Sequence, residues 1–298
     1  MIQFEHIFIV GCGDIGQRVA TLWQNRSFDV FALTHSEENA TQLQSNDIMP
    51  IRGDLDSAET LQDLPVRNAL VYYFAPPPRS GETEPRMTNF LDAISIDALP
   101  VHLLYMSTSG VYGDTGGEWV TENSPLNPKT DRSKRRVDAE RQVRGWSAET
   151  GIPFTILRVP GIYGPGRLPI GKVKSGRPVL REGDAPYSNR IHADDLARIC
   201  VDVVTDGEPS ETYNVNDGNP GSITQYYFTL ADLLGIERPP TISMEAAREQ
   251  FSPMLLSFLE ESKRLDISKL RDHIGYEPIY PSLEKGVAAT LKEENRLP

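Results

Sequence analysis

Cysteine is scarce in this chain, with only Cys12 and Cys200 among 298 residues. Two thiols so far apart fit neither a metal-ligand spacing nor a disulfide framework, and a reducing cytoplasm is the expected compartment. Basic residues are outnumbered, 30 Lys and Arg against 42 Asp and Glu, giving a formal net charge of -12. That balance argues against nucleic acid or an anionic membrane as partner, though it leaves room for a local basic pocket. No apolar run reaches the length of a membrane span. There is no internal repeat and no low-complexity segment, and the chain opens at once on a short strand pattern, so neither export nor anchoring is expected. A small molecule is the expected partner. What is present, 39% hydrophobic and 24% charged residues over 298 positions, fits a globular protein of roughly two domains with a substantial core.

The most informative stretch is His6 to Trp23, HIFIVGCGDIGQRVATLW. A short apolar run, Ile7 to Val10, meets Gly11-Cys12-Gly13-Asp14-Ile15-Gly16, after which Ile15, Val19, Leu22 and Trp23 recur at helical spacing. This reads as strand, tight turn, helix. Gly11 permits the turn, Gly13 lets a pyrophosphate approach the backbone, and Gly16 lets helix and strand pack closely. The N–H groups of the Asp14-Ile15-Gly16 turn and the positive end of the helix dipole would face the phosphates. The residues therefore point to a dinucleotide site, with a plain structural turn as the alternative.

Further strands are expected over Asp29–Leu33, Ile48–Arg52, Ala69–Phe74 and Val101–Met106, alternating with helices over Glu37–Leu43, Ser57–Leu64 and Pro85–Ala98. Such alternation demands a parallel sheet with right-handed crossovers and helices on both faces, whose ligands lie at the carboxyl ends of the strands. After the second strand, an acidic residue would favour NAD by bonding the adenine ribose. The chain has Thr34-His35-Ser36 instead, which inclines the choice between NAD and NADP toward NADP, although no arginine is there to clamp a 2′-phosphate. The same residues read equally as the cap of the next helix. After the third strand, Asp54 and Leu55 are candidates for the adenine, with Asp54 as a helix cap the alternative. After the fourth strand, Phe74-Ala75-Pro76 begins a run whose three prolines form an extended wall.

The fifth strand ends in Ser107-Thr108-Ser109-Gly110-Val111-Tyr112-Gly113-Asp114, and here the chain resembles the extended and atypical short-chain dehydrogenase/reductases, the superfamily that contains the NAD-dependent sugar epimerases and dehydratases. Later segments agree in order: Leu157 to Gly166 (LRVPGIYGPG), Arg190 to Ala197 (RIHADDLA), Tyr213 to Gly218 (YNVNDG), and Ser262-Lys263-Arg264 with Leu270 to Tyr276. The G-x-G-x-x-G spacing points to the atypical branch. The resemblance implies an α/β fold, a Rossmann-type doubly wound parallel sheet with a smaller mixed C-terminal domain. Residues 1–160 with 192–216 would form the dinucleotide-binding domain, and 161–191 with 217–298 the smaller substrate-binding domain. Pro160 and Gly161 would lie beside the nicotinamide.

The chemistry of that superfamily rests on a serine or threonine, a tyrosine, and a lysine four residues after it. Thr108 falls at the first position. The tyrosine position falls on Arg132 and the lysine position on Arg136, and no tyrosine of this chain is followed by lysine four residues later. A guanidinium stays protonated and cannot alternate as acid and base. Arg136 could keep the lysine's other role, bonding the nicotinamide ribose, or belong to a solvated helix face. Tyr112 is the nearest alternative proton donor by sequence, with Tyr163 and His192 further candidates, while Asp194 and Asp195 read as caps of the following helix. Arg177, Arg181 and Arg190 could address an anionic substrate or be surface charges. The expected function is thus an NAD(P)-binding oxidoreductase or epimerase of a small, nucleotide-linked or anionic substrate. The alternative is a non-catalytic NAD(P)-dependent binding or sensor protein.

Overall fold

Ile7, Phe8, Ile9 and Val10 are wholly buried, as a β-branched and aromatic run covered on both faces must be. They form the central strand β1 (His6–Val10) in a computed structural model that describes residues 3–296. Chain order continues with α1 (Asp14–Gln24), β2 (Val30–Thr34), α2 (Glu37–Ser45), β3 (Met49–Arg52), β4 (Ala69–Tyr73), α3 (Pro85–Asp92) and β5 (His102–Thr108). After an excursion into a second unit come α4 (Asp131–Thr150), β6 (Phe154–Val159), α5 (Ala193–Thr205) and β7 (Glu211–Asn214). The seven strands make one sheet in the order β7-β6-β5-β4-β1-β2-β3. The pairs β1–β2, β2–β3, β1–β4 and β4–β5 run parallel. The strand order reverses between β1 and β4, and a doubly wound sheet opens its ligand crevice at that point, beyond the carboxyl ends of the strands.

The apolar stripe of α1 (Ile15, Val19, Ala20, Trp23) is buried. Trp23 Nε1 donates to the Tyr72 hydroxyl at 2.9 Å, which in turn donates to the Cys200 carbonyl at 3.2 Å, so the indole is satisfied inside the core. Beneath α4, the Arg158 guanidinium and the Glu140 carboxylate pair at 2.8 Å with both side chains under 5% exposed, and Ser107 Oγ donates to the same carboxylate at 2.6 Å. A buried ion pair of this kind persists only with its polar groups satisfied.

Two expected helices are shorter than their sequences indicate. Over Ser57–Leu64 only a single 3-10 turn forms, Ala58–Thr60, because the Thr60 hydroxyl donates back to the Ser57 and Asp54 carbonyls while Leu61 and Leu64 drop into the core. The helix expected over Pro85–Ala98 stops at Asp92, and Ser95 caps a separate 3-10 turn, Ile96–Ala98.

The chain divides into two compact units. The first takes the chain up to Val111 together with Pro128–Arg158 and Leu196–Tyr213; the second takes Tyr112–Asn127, Val159–Asp195 and the chain from Asn214 on. The sequence reading places 112–127 with the dinucleotide domain. In the structure Trp119–Val120 pairs in parallel with Arg264–Leu265, and this short ladder ties the segment to the second unit. Within that unit Gly161–Tyr163 pairs with Arg190–His192, Val179–Leu180 pairs with Thr241–Ile242, and the helices Ile223–Leu233 and Leu283–Glu293 pack around Tyr163, Tyr226 and Leu230. The expected cap at Asp195 takes another form: its carboxylate accepts the backbone N–H groups of Ile279 and Tyr280 at 2.8 and 3.0 Å, clamping a distant loop. No helix among the described residues is long and apolar enough to cross a membrane, and no cluster of three or more potential metal ligands occurs among them.

Candidate functional site

The exits of β1, β2, β3 and β4 surround a cavity of about 510 Å3 in the first unit. Its β1 wall is the glycine turn. Gly11 has φ +88°, and a Cβ there would stand 2.5 Å from the Ala75 nitrogen, so the turn and the exit of β4 meet backbone to backbone. Phe74 N–H donates to the Val10 carbonyl at 2.8 Å, which carries the β1–β4 pairing right up to that meeting point. Gly16 makes the second close approach: a Cβ would lie 3.2 Å from the Gly11 carbonyl and 3.3 Å from Ile9.

Gly13 differs from both. It is the N-cap of α1 with an extended backbone and no side-chain cap, and a Cβ placed on it would meet nothing within 4 Å. The positive end of the α1 dipole is therefore left uncovered toward open space. A helix start left open in this way is a cradle into which an anionic group can fit. Cys12 lies between the glycines with its thiol pushed up to about 12 by burial, so it adds no negative charge beside that cradle.

Thr34 and His35 line the cavity at the exit of β2. Ser36 does not line it; its hydroxyl accepts the Asn39 N–H at 3.2 Å and caps α2, the local alternative the sequence left open. At the exit of β3, Asp54, Leu55 and Asp56 line the cavity. Asp54 Oδ1 accepts the Asp56 N–H at 3.0 Å, and the Leu55 carbonyl accepts from Asn89 at 2.8 Å. Phe74, Ala75 and Pro76 form the β4 wall.

Arg86 joins two of these walls. Its Nε and Nη2 donate to the two carboxylate oxygens of Asp56 at 2.7 and 2.6 Å, while Nη1 donates to the Pro76 carbonyl at 3.0 Å. The guanidinium holds the Asp56 carboxyl below its usual range. This clasp was not expected from sequence, and neither were Gln17, Asn39, Gln42, Leu43 and Gly53, which also line the cavity. On paper Asn39 and Gln42 look like the solvated face of α2. Arg86 sits thirty residues beyond its partner, with no spacing rule to link them.

Other expected residues stand outside this cavity. Asp14 is paired with Arg18 at 2.9 Å along α1, and Ile15 is buried in the core. Thr108 ends β5, where its Oγ1 accepts the Gly110 N–H at 3.3 Å. Arg136 donates through Nη1 to the Tyr105 hydroxyl and to the Met106 carbonyl, both at 3.1 Å, and so braces the end of β5. Nearby, burial raises the Glu84 carboxyl above its ordinary value, while the Arg136, Arg86 and Arg135 charges oppose that shift. Arg132, at the tyrosine position, is an exposed residue of the first turn of α4.

In the second unit, Tyr112 is 1% exposed and its hydroxyl donates to Asn214 Oδ1 at 2.7 Å. The amide of Asn214 donates in turn to the Val120 and Asp266 carbonyls, so Tyr112 belongs to a satisfied interior network. Pro160 and Gly161 lead into the short strand Gly161–Tyr163. His192 is buried, with Nε2 at 3.2 Å from Thr290 Oγ1, Nδ1 accepting the Asp194 N–H, and the ring packed 3.9 Å from that of Tyr280.

Comparison with known proteins places this geometry. The family model described as "NAD dependent epimerase/dehydratase family" matches residues 7–216. A dTDP-glucose 4,6-dehydratase of Neisseria meningitidis is 27% identical over 204 residues, which is 63% of this chain and 56% of that protein. The match thus spans about half the length of such a relative. A conserved protein of unknown function from Silicibacter pomeroyi is similar over the full length, with a TM-score of 0.82 at 26% identity, covering 97% of this chain and 99% of the other. The dTDP-glucose 4,6-dehydratase of Bacillus anthracis, solved in complex with NAD, shares the fold, with a TM-score of 0.77 at 18% identity over 97% of this chain and 96% of that one. With the strand order, the glycine turn and the model match in agreement, the chain belongs to the NAD-dependent epimerase/dehydratase family.

Proposed function

We propose that the first unit binds NAD or NADP and that this protein uses the dinucleotide in oxidoreduction or epimerisation of a small, nucleotide-linked or anionic substrate, acting in the cytoplasm with no nucleic-acid partner. The observation that carries the reading is Gly13, an uncapped helix start facing open space between Gly11, which has no room for a Cβ, and Gly16, where a Cβ would be tight. The Gly11–Gly16 turn would hold the diphosphate. Thr34, His35, Asp54 and Leu55 would hold the adenosine half, and the Arg86–Asp56 clasp would keep the β3 and β4 walls at a fixed separation. Thr108 and Arg136 would serve the nicotinamide half, and the nicotinamide, when bound, supplies the redox chemistry. Sugar nucleotides enter as candidate substrates through the dTDP-glucose dehydratases among the relatives.

The missing tyrosine and lysine favour a second reading, a binding or sensor protein that recognises the dinucleotide without turning it over. Arg132 and Arg136 cannot exchange a proton as a phenol does, and the Tyr112 hydroxyl is committed to Asn214. A turnover screen separates the two. Nicotinamide absorbance is followed with a panel of nucleotide sugars, on wild type and on Thr108→Val. Turnover lost in the variant supports the enzyme. Tight dinucleotide binding with no turnover on any member supports the sensor.

A further inference from the structure

The second unit contains its own cavity, about 350 Å3, whose lining includes Ser188, Arg190, Asp217, Thr229 and Glu284. Arg190 is its cation. The guanidinium lies 4.2 Å from the centroid of the Tyr226 ring, and its Nη1 would stand 3.1 Å from a Cβ at Gly161, so it is wedged between a ring face and a backbone. Burial pulls its pKa below the ordinary arginine value. Among the described residues no side chain accepts a hydrogen bond from this guanidinium; the Tyr226 ring face and the more distant charge of Asp217 are what it meets. The Ser188 hydroxyl beside it is shut off from solvent without a hydrogen-bond partner. Its backbone is fixed by two bonds to Gly221, N–H to carbonyl in each direction, at 2.6 and 2.9 Å. Asp217 is 2% exposed, and its Oδ1 accepts the Asn219 N–H at 2.9 Å.

A half-buried guanidinium on a cavity wall keeps N–H groups free to donate to a ligand, and a buried hydroxyl without a partner needs one. An arginine fork fits a carboxylate or phosphate bidentately. Two carboxylates in the same lining oppose a bare anion, whereas they accept hydrogen bonds from hydroxyl groups. We propose that this cavity is a subsite for an oxyanion that carries neighbouring hydroxyls, a sugar acid or a sugar phosphate. Arg190 and Ser188 donate to the oxyanion, and Asp217 and Glu284 accept from the hydroxyls. The subsite lies wholly within the second unit and does not rest on the dinucleotide reading.

Calorimetric titrations without added dinucleotide test it, using D-gluconate, glucose 6-phosphate and the uncharged polyol sorbitol as probes. At least one anionic probe is expected to bind about tenfold or more tightly than sorbitol, and Arg190→Gln is expected to weaken that probe about tenfold or more. Binding of gluconate alone assigns a carboxylate ligand, and binding of glucose 6-phosphate alone a phosphate. Ser188→Ala, which removes one hydroxyl and no charge, should weaken the bound probe about threefold or more, and it decides the matter if Arg190→Gln does not fold. The proposal is overturned if neither anion binds, if sorbitol binds as well as the anions, or if the folded variants bind as wild type does.

Discussion

Gly11→Ala and Gly13→Ala each add one methyl group to the same turn, and they are expected to fail in different ways. At Gly11 the new Cβ would lie 2.5 Å and 2.6 Å from the Ala75 nitrogen and Cα, in a residue with φ +88°. The left-handed backbone costs alanine about 1–2 kcal/mol, and forcing a methyl against backbone costs about 1–3 kcal/mol more. The total of about 2–5 kcal/mol is a large part of a domain stability on the order of 5–15 kcal/mol. It corresponds to a Tm lowered by roughly 4–20 °C. At Gly13 the methyl meets nothing within 4 Å and φ is -80°, so the fold should not register it. The methyl does occupy the cradle in front of α1, so dinucleotide affinity should fall about tenfold or more. Thermal melts of the nucleotide-free proteins and calorimetric titrations of both variants give the comparison. A Gly13→Ala variant that binds as wild type does, or that melts as early as Gly11→Ala, would refute the assignment of these two roles.

Three other substitutions probe the first unit. Arg86→Leu breaks a clasp whose side chains are 25% and 53% exposed, so stability should change by less than about 1 kcal/mol while dinucleotide affinity drops several-fold; a large fall in Tm would instead make the clasp a fold element. Arg158→Met leaves the buried Glu140 carboxylate without its cation and should cost about 3–5 kcal/mol in urea denaturation; adding Glu140→Gln should restore part of that loss, and no restoration would count against the pair as its cause. Burial holds the His102 imidazole down at about 4, below an unfolded value of about 6.5. The unfolded chain therefore takes up this proton first as pH falls, and the stability present above about 6.5 is lost on the way down to about 4. His102→Gln, which can keep the bond to Thr155, should flatten stability across that window, and an unchanged slope would contradict it.

What was legible in the sequence was what short-range rules govern. The run Ile7–Val10 reads as a strand because the glycine turn follows it, and Gly11-Cys12-Gly13-Asp14-Ile15-Gly16 marks both the turn and the helix after it. The cap at Ser36, whose hydroxyl accepts the Asn39 N–H, was equally local. What escaped the reading depends on distance along the chain. The Arg86–Asp56 clasp, the two-residue ladder that draws 112–127 into the second unit, and the Asp195 clamp on Ile279 and Tyr280 join segments that no periodicity links. The segment 57–64 had helical composition, yet the bonds of the Thr60 hydroxyl and the burial of Leu61 and Leu64 outweighed that preference.

The most direct measurement is a calorimetric titration of the nucleotide-stripped protein with NAD and with NADP in parallel. One-to-one binding of at least one of them, weakened about tenfold or more by Gly13→Ala, is the predicted result. Heats of dilution alone with both dinucleotides, from a protein shown to be folded, would contradict the account at its centre.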